Sequence, residues 1–87
     1  MNSITIDGIV TYPPVRVPSE SSLFAKFSIK STVAGNTLLM RVRCYEKLAE
    51  RVINSCHLGM SVRISGHLIP FFADVEIVAD SVQTLSA

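Results

Sequence analysis

The stretch LFAKFSIKSTVAGNTLLMRVRCYEKLAERVINSCHLGMSVRISGHLI, residues 23–69, changes its hydrophobic period twice, and those changes decide the fold. Leu23, Ala25, Phe27 and Ile29 alternate with Phe24, Lys26, Ser28 and Lys30, the two-residue period of a half-buried strand. Ala34-Gly35-Asn36 is a short glycine-containing turn. Beyond it Leu38, Met40, Val42 and Cys44 alternate with Leu39, Arg41, Arg43 and Tyr45, so the two runs form a hairpin. From Tyr45 the spacing becomes three and four: Tyr45, Leu48, Ala49, Val52, Ile53 and Cys56 share one face, with Glu46, Lys47, Glu50 and Arg51 on the other. This predicts a helix of about three turns, closing between Asn54 and Gly59. Alternation returns in MSVRISGHLI, a strand with Val62, Ile64 and Leu68 inward.

On the N-terminal side, SITIDGIVT (residues 3–11) alternates Ile4 and Ile6 against Thr5 and Asp7 up to Gly8, where Ile9 and Val10 break the phase; a strand with a glycine bulge or bend is expected. Residues 12–22, YPPVRVPSESS, hold three prolines and read as a connection with short extended pieces. On the C-terminal side, Pro70 to Ala73 reads as a tight connection into DVEIVADSV, a fifth strand with Val75 and Ile77 inward. Five short strands with one helix between the third and fourth predict an all-β chain, the five-stranded OB-fold barrel. An SH3-like barrel offers no natural place for that helix. The 87 residues make one domain, 1–87.

The composition is 48% hydrophobic and only 17% charged, which excludes a disordered chain and leaves more apolar surface than one small core hides; a subunit interface is expected. Net charge is +1, so no global field draws in nucleic acid or an anionic membrane. The distribution says more. Between Glu20 and Glu46 there is no acid, and Lys26, Lys30, Arg41 and Arg43 give residues 21–45 a local charge of +4. By alternation all four project from the face opposite the core, with Phe24, Leu39 and Tyr45 among them. Cations to follow phosphates, interleaved with rings to stack on bases, are what a single-stranded nucleic acid requires. The same residues also suit simple solvation or a dimer contact, and Tyr45 suits the core at the helix start.

RVRCYEKLAERV followed by GMSVRISGHL resembles the helix and fourth strand of bacterial single-stranded DNA-binding proteins, and ITIDGIV with PPVR is similar to that family's first strand and the turn after it. The resemblance covers about residues 3–82, with Lys47-Leu48-Ala49-Glu50 and Gly59 to Leu68 as its most specific parts. It implies non-enzymatic binding of single-stranded DNA, with RNA as the other possible strand, and assembly as a homo-oligomer, dimer or tetramer. It matches Arg41 to a basic strand position, Tyr45 to a stacking aromatic and Lys47 to the lysine that opens the helix. Leu39 stands where the family commonly has a stacking tryptophan. The hairpins are trimmed to about Val33 to Thr37 and to Ile69 to Ala73, and the sequence ends at Leu85-Ser86-Ala87 without an acid-tipped tail. A modest binder is expected, and the short primosomal members of the superfamily are a fair comparison.

Other chemistry finds little support. Phosphate-cradling, dinucleotide, nucleophile-elbow and zinc-protease motifs are missing from the sequence. Cys44 and Cys56 read as buried thiols of a reducing compartment, and Cys56-His57 has no second ligand pair. His57 and His67 read as surface or interface residues. Asp74, Glu76 and Asp80 alternate along the last strand as a solvated face rather than a cation cluster. No cofactor and no metal are expected. Met1-Asn2-Ser3-Ile4 is not the start of a signal peptide and no run spans a membrane, so the cytoplasm is the expected address. Phe71-Phe72 reads as an interface pair or a replacement stacking ring. The binding residues expected are therefore Lys26, Lys30, Arg41, Arg43, Tyr45, Phe24 and Lys47, in replication, recombination or repair. The alternative is an OB-fold assembly module that binds protein and has little affinity for nucleic acid.

Overall fold

The computed structural model describes residues 2–17 and 23–85. Its elements are β1 (Ile4–Val17), β2 (Phe24–Val33), β3 (Asn36–Tyr45), α1 (Glu46–Ser55), β4 (Ser61–Phe71) and β5 (Asp74–Thr84). The strands close in the order β1-β2-β3-β5-β4, and β4 returns to β1. All pairings are antiparallel except β3 with β5, which runs parallel from Arg41↔Glu76 to Arg43↔Val78. Closure leaves this small barrel without a long free sheet edge.

The inward alternation of β2 and β3 stands for Ala25, Phe27, Ile29, Val42 and Cys44, which are buried and joined by Val10, Val62, Ile64 and Ile77. It does not stand for Leu38, which lies near the hairpin turn beyond the core and is exposed. Helix α1 caps one end with Ala49 and Val52 buried, and Cys56 just after it. Tyr45 does not join the helical face. It is the extended residue before α1, and Glu46 at φ 57° turns the chain off the sheet, its N–H donating to the Leu23 carbonyl at 2.8 Å. The turn between β2 and β3 is two residues, Ala34 at φ 52° and Gly35 at φ 79°, the mirror-image turn whose twist matches the strands.

Four expectations about the strands are corrected. The alternation of β1 does not break at Gly8: Gly8 takes an inward position, Ile9 points out and Val10 in, and the register shifts lie later, between Val10, Tyr12 and Val15. A Cβ on Gly8 would lie 2.9 Å from the Lys30 carbonyl oxygen, so glycine here lets β2 approach. Residues 12–17 are strand, not connection, because those bulges absorb Pro13 and Pro14 and spare the ladder their missing N–H groups. The rest of the expected connection, 18–22 with Glu20, lies outside the described residues. Pro70 and Phe71 also belong to a strand, so the β4–β5 turn is only Phe72 and Ala73. On β5, Val75 is exposed and Glu76 is buried, opposite to the expected solvated acid face.

Candidate nucleic-acid interface

The outward side chains of β2, β3, β5 and the end of β4 form one continuous face. Register places Lys26 opposite Arg43, and Ser28 opposite Arg41, across β2 and β3. The parallel pairing then sets Glu76 beside Arg41. Arg43 Nη2 lies 3.0 Å from Glu76 Oε1, while Lys26 Nζ at 3.8 Å and Arg41 Nε at 4.0 Å approach Oε2. Arg41 Nη2 also reaches Asp74 Oδ2 at 3.3 Å. The Glu76 side chain is 0% exposed beneath these cations.

Rings flank the cluster on both sides. Phe24 and Tyr45 lie with centroids 5.6 Å apart, and the Arg43 guanidinium sits 5.1 Å from the Phe24 ring. On the other side, Phe71 holds Lys26 Nζ at 5.2 Å and the Arg41 guanidinium at 4.8 Å, the geometry of cation–π attraction. Phe72 stands edge-on to Phe71 at 4.8 Å and is 94% exposed at the turn. Arg43 Nη1 donates to the Tyr45 hydroxyl at 3.3 Å. That hydroxyl foremost, with Glu76 behind it and burial opposing, holds the guanidinium above its ordinary pKa.

The expected residues therefore divide. Lys26, Arg41, Arg43, Phe24 and Tyr45 are brought together. Lys30 is exposed farther along β2, opposite Ile9 and Leu39, outside the cation cluster. Lys47 stands in the first turn of α1, exposed near Glu50, Arg51 and Asn54. The +4 hairpin face expected from alternation is corrected: Glu76 and Asp74 enter it from β5, so three cations and two carboxylates leave the cluster a net charge of +1. Asp80 is exposed and falls at the register shift opposite Ser65 and Gly66, away from this cluster. Sequence reading missed Glu76 and left Phe71 open. The one signal was a lone acid inside the apolar run Val75-Glu76-Ile77-Val78 of a chain whose hairpin carries uncompensated cations.

Other polar groups are accounted for nearby. Arg63 forks onto Asp7 at 2.7 and 3.0 Å, and its guanidinium holds that carboxyl below the usual aspartate range. Burial pushes the Cys44 thiol up to about 11. Among the described residues no group of three or more His, Cys, Asp or Glu side chains could hold a metal ion, and no helix is long and apolar enough to cross a membrane.

A closed five-stranded barrel with a helix between its third and fourth strands is an OB-fold. No family model and no curated protein matches the sequence. Among solved structures, the second single-stranded DNA-binding protein (SSBb) of Mycobacterium smegmatis superposes with a TM-score of 0.85 at 30% identity, over 95% of this chain and 87% of that one. The SSB domain of a Synechococcus sp. protein superposes with a TM-score of 0.86 at 17% identity, over 95% and 94% of the two chains. The N-terminal domain of PriB from Thermoanaerobacter tencongensis, described as dimeric, gives 0.80 at 17% identity, over 99% and 98%. The chain belongs to the SSB-like family of OB-fold proteins.

Proposed function

We propose that this protein binds single-stranded DNA, without catalysis, along the outer face of β2 and β3 as far as the β4–β5 turn. One observation carries the reading: cations and rings alternate across the face, from Tyr45 and Phe24 through Arg43, Arg41 and Lys26 to Phe71 and Phe72. Phosphates would follow the cations, and bases would stack on Phe24, Tyr45 and Phe72 at about 1–3 kcal/mol each. Lys30 and Lys47 extend the charge at its margins. RNA presents the same phosphates and ring faces, and replication, recombination or repair in the cytoplasm is the setting such binding serves.

Binding is modest. Four freely acting cations would give a slope of log K against log salt of about −2.8, whereas two offset by Glu76 and Asp74 leave about −1.4. Titrating oligo(dT) into the protein at several salt concentrations tests this. A measurable, salt-dependent affinity with a slope near −1.4 supports the reading, and no binding at low salt sinks it.

The second reading, a protein assembly module, is favoured by exposed apolar residues: Tyr12 and Val15 on β1, which line a groove with Lys26 and Arg41 at the edge of the stripe, and Ile9, Leu38 and Leu39 farther from the cluster. Such residues suit a homo-oligomer contact, dimer or tetramer, as well as a foreign partner. Sedimentation as a 9.5 kDa monomer at micromolar concentration, with no partner recovered, would exclude this reading.

A further inference from the structure

We infer that Glu76 is an internal counter-anion: it occupies the free protein's cation cluster in place of a backbone phosphate, and a bound strand draws Lys26, Arg41 and Arg43 away from it. This rests on the reading of the face as a single-stranded DNA site.

Glu76 lies on the outward side of β5, between inward-facing Ile77 and exposed Val75, yet its side chain is fully covered. The three cations beside it keep part of their own surface in water, with Lys26, Arg41 and Arg43 side chains 34%, 45% and 22% exposed. An exposed carboxylate needs no such cover, and a buried one needs aligned donors. Glu76 lacks them: among the described residues neither carboxylate oxygen has a hydrogen-bond partner of good alignment, and the buried Arg43 Nε has none either. Only Arg43, at 3.0 Å, comes within hydrogen-bond distance of the carboxylate, while Lys26 at 3.8 Å and Arg41 at 4.0 Å attend it by proximity alone. A carboxylate oxygen pair offers about four acceptor positions, so the attachment is under-bonded on both sides.

A phosphate diester carries the same unit charge and is also an acceptor, and it approaches from the solvent side on which the cations are open. Phe71 holds Lys26 and Arg41 over its ring whichever anion they meet, so the exchange requires rotation of side-chain ends and no movement of the sheet. Glu76 thus does two things. It keeps three like charges ordered before a strand arrives, and it subtracts one charge from the face once the strand is bound.

The test compares oligo(dT) binding by wild type and Glu76→Gln across a salt series. One added effective contact steepens the slope by about 0.7 and raises affinity about eightfold at ~50 mM salt. Wild-type binding with an unchanged slope and affinity in the variant overturns the counter-anion and leaves the DNA site standing. Absence of binding in both proteins overturns the DNA site and the inference with it. Should the variant fail to fold, the wild-type protein carries the test alone. The carboxyl 13C signal of Glu76 is expected to move as oligo(dT) saturates the protein, and a signal unmoved at saturation overturns the inference.

Discussion

Arg41 and Glu76 are Cα partners across the parallel junction of β3 and β5, although α1 and all of β4 lie between them in the chain. This junction closes the barrel, so the residues that complete the proposed binding face are also the residues that seal the fold. Charge at this place has consequences for stability as well as for affinity.

Arg43 makes the nearest contact to the buried carboxylate. Replacing Arg43 by Met leaves Glu76 covered, with only Lys26 and Arg41 at 3.8 and 4.0 Å. Breaking a buried pair costs about 3–5 kcal/mol, and the partial exposure of Arg43 lowers the expectation to about 2–3 kcal/mol. The double variant Arg43→Met with Glu76→Gln should recover at least half of that loss. Urea unfolding of the four proteins of the cycle measures it, and additive losses would show that the two side chains are uncoupled.

Two small residues respond in opposite ways. A Cβ on Gly66 would stand 2.0 Å from the Val78 carbonyl oxygen and 2.9 Å from the Ala79 Cα, both backbone atoms at the β4–β5 register shift. Gly66→Ala should destabilise by about 3–5 kcal/mol or prevent folding. Ala34 carries φ 52° in the hairpin turn. Ala34→Asn places there a residue that tolerates the left-handed region, and should stabilise by about 0.5–1 kcal/mol in thermal unfolding.

The margins of the face separate charge from stacking. Lys30→Ala removes an exposed cation outside the Glu76 cluster, and should make the salt slope shallower by about 0.7. Phe72→Ala removes a ring that is 94% exposed. It should cost about 1–3 kcal/mol of strand binding and leave both the slope and the melting temperature unchanged. A changed slope in the phenylalanine variant would contradict the assignment of Phe72 to stacking.

Stability should fall in alkali. The Cys44 thiol is half ionised at pH 9.0 when unfolded and only at about 11 in the folded barrel, because burial disfavours the thiolate. Between those values the unfolded chain has released a proton that the folded chain retains, so the unfolded state gains. Denaturation midpoints measured at pH 8 and pH 10.5 should show the decline, and Cys44→Ala should flatten it.

The hairpin, the helix and their order were legible because each depends on residues a few positions apart. Ala25, Phe27, Ile29, Val42 and Cys44 went inward as their alternation required. Strand β1 was less legible, since Pro13 and Pro14 signal a connection unless bulges are there to receive them, and bulges leave no reliable mark in composition. Lys26, Arg41, Arg43, Phe24 and Tyr45 share one face for the same local reason that the hairpin was readable. Glu76 could not be placed, because alternation along β5 does not say which strand becomes its neighbour.

Local periodicity thus determined the β2–β3 hairpin, the helix after it and the cations and rings that the hairpin itself contributes to its outer face. The tertiary structure alone decided that β5 closes against β3 in parallel, laying Glu76 under three cations and bringing Phe71 beneath two of them. The physical reason is that side-chain direction is set by the residue's own backbone, while an ion pair is set by distance in space. Strands far apart in sequence acquire their neighbours only when the sheet closes.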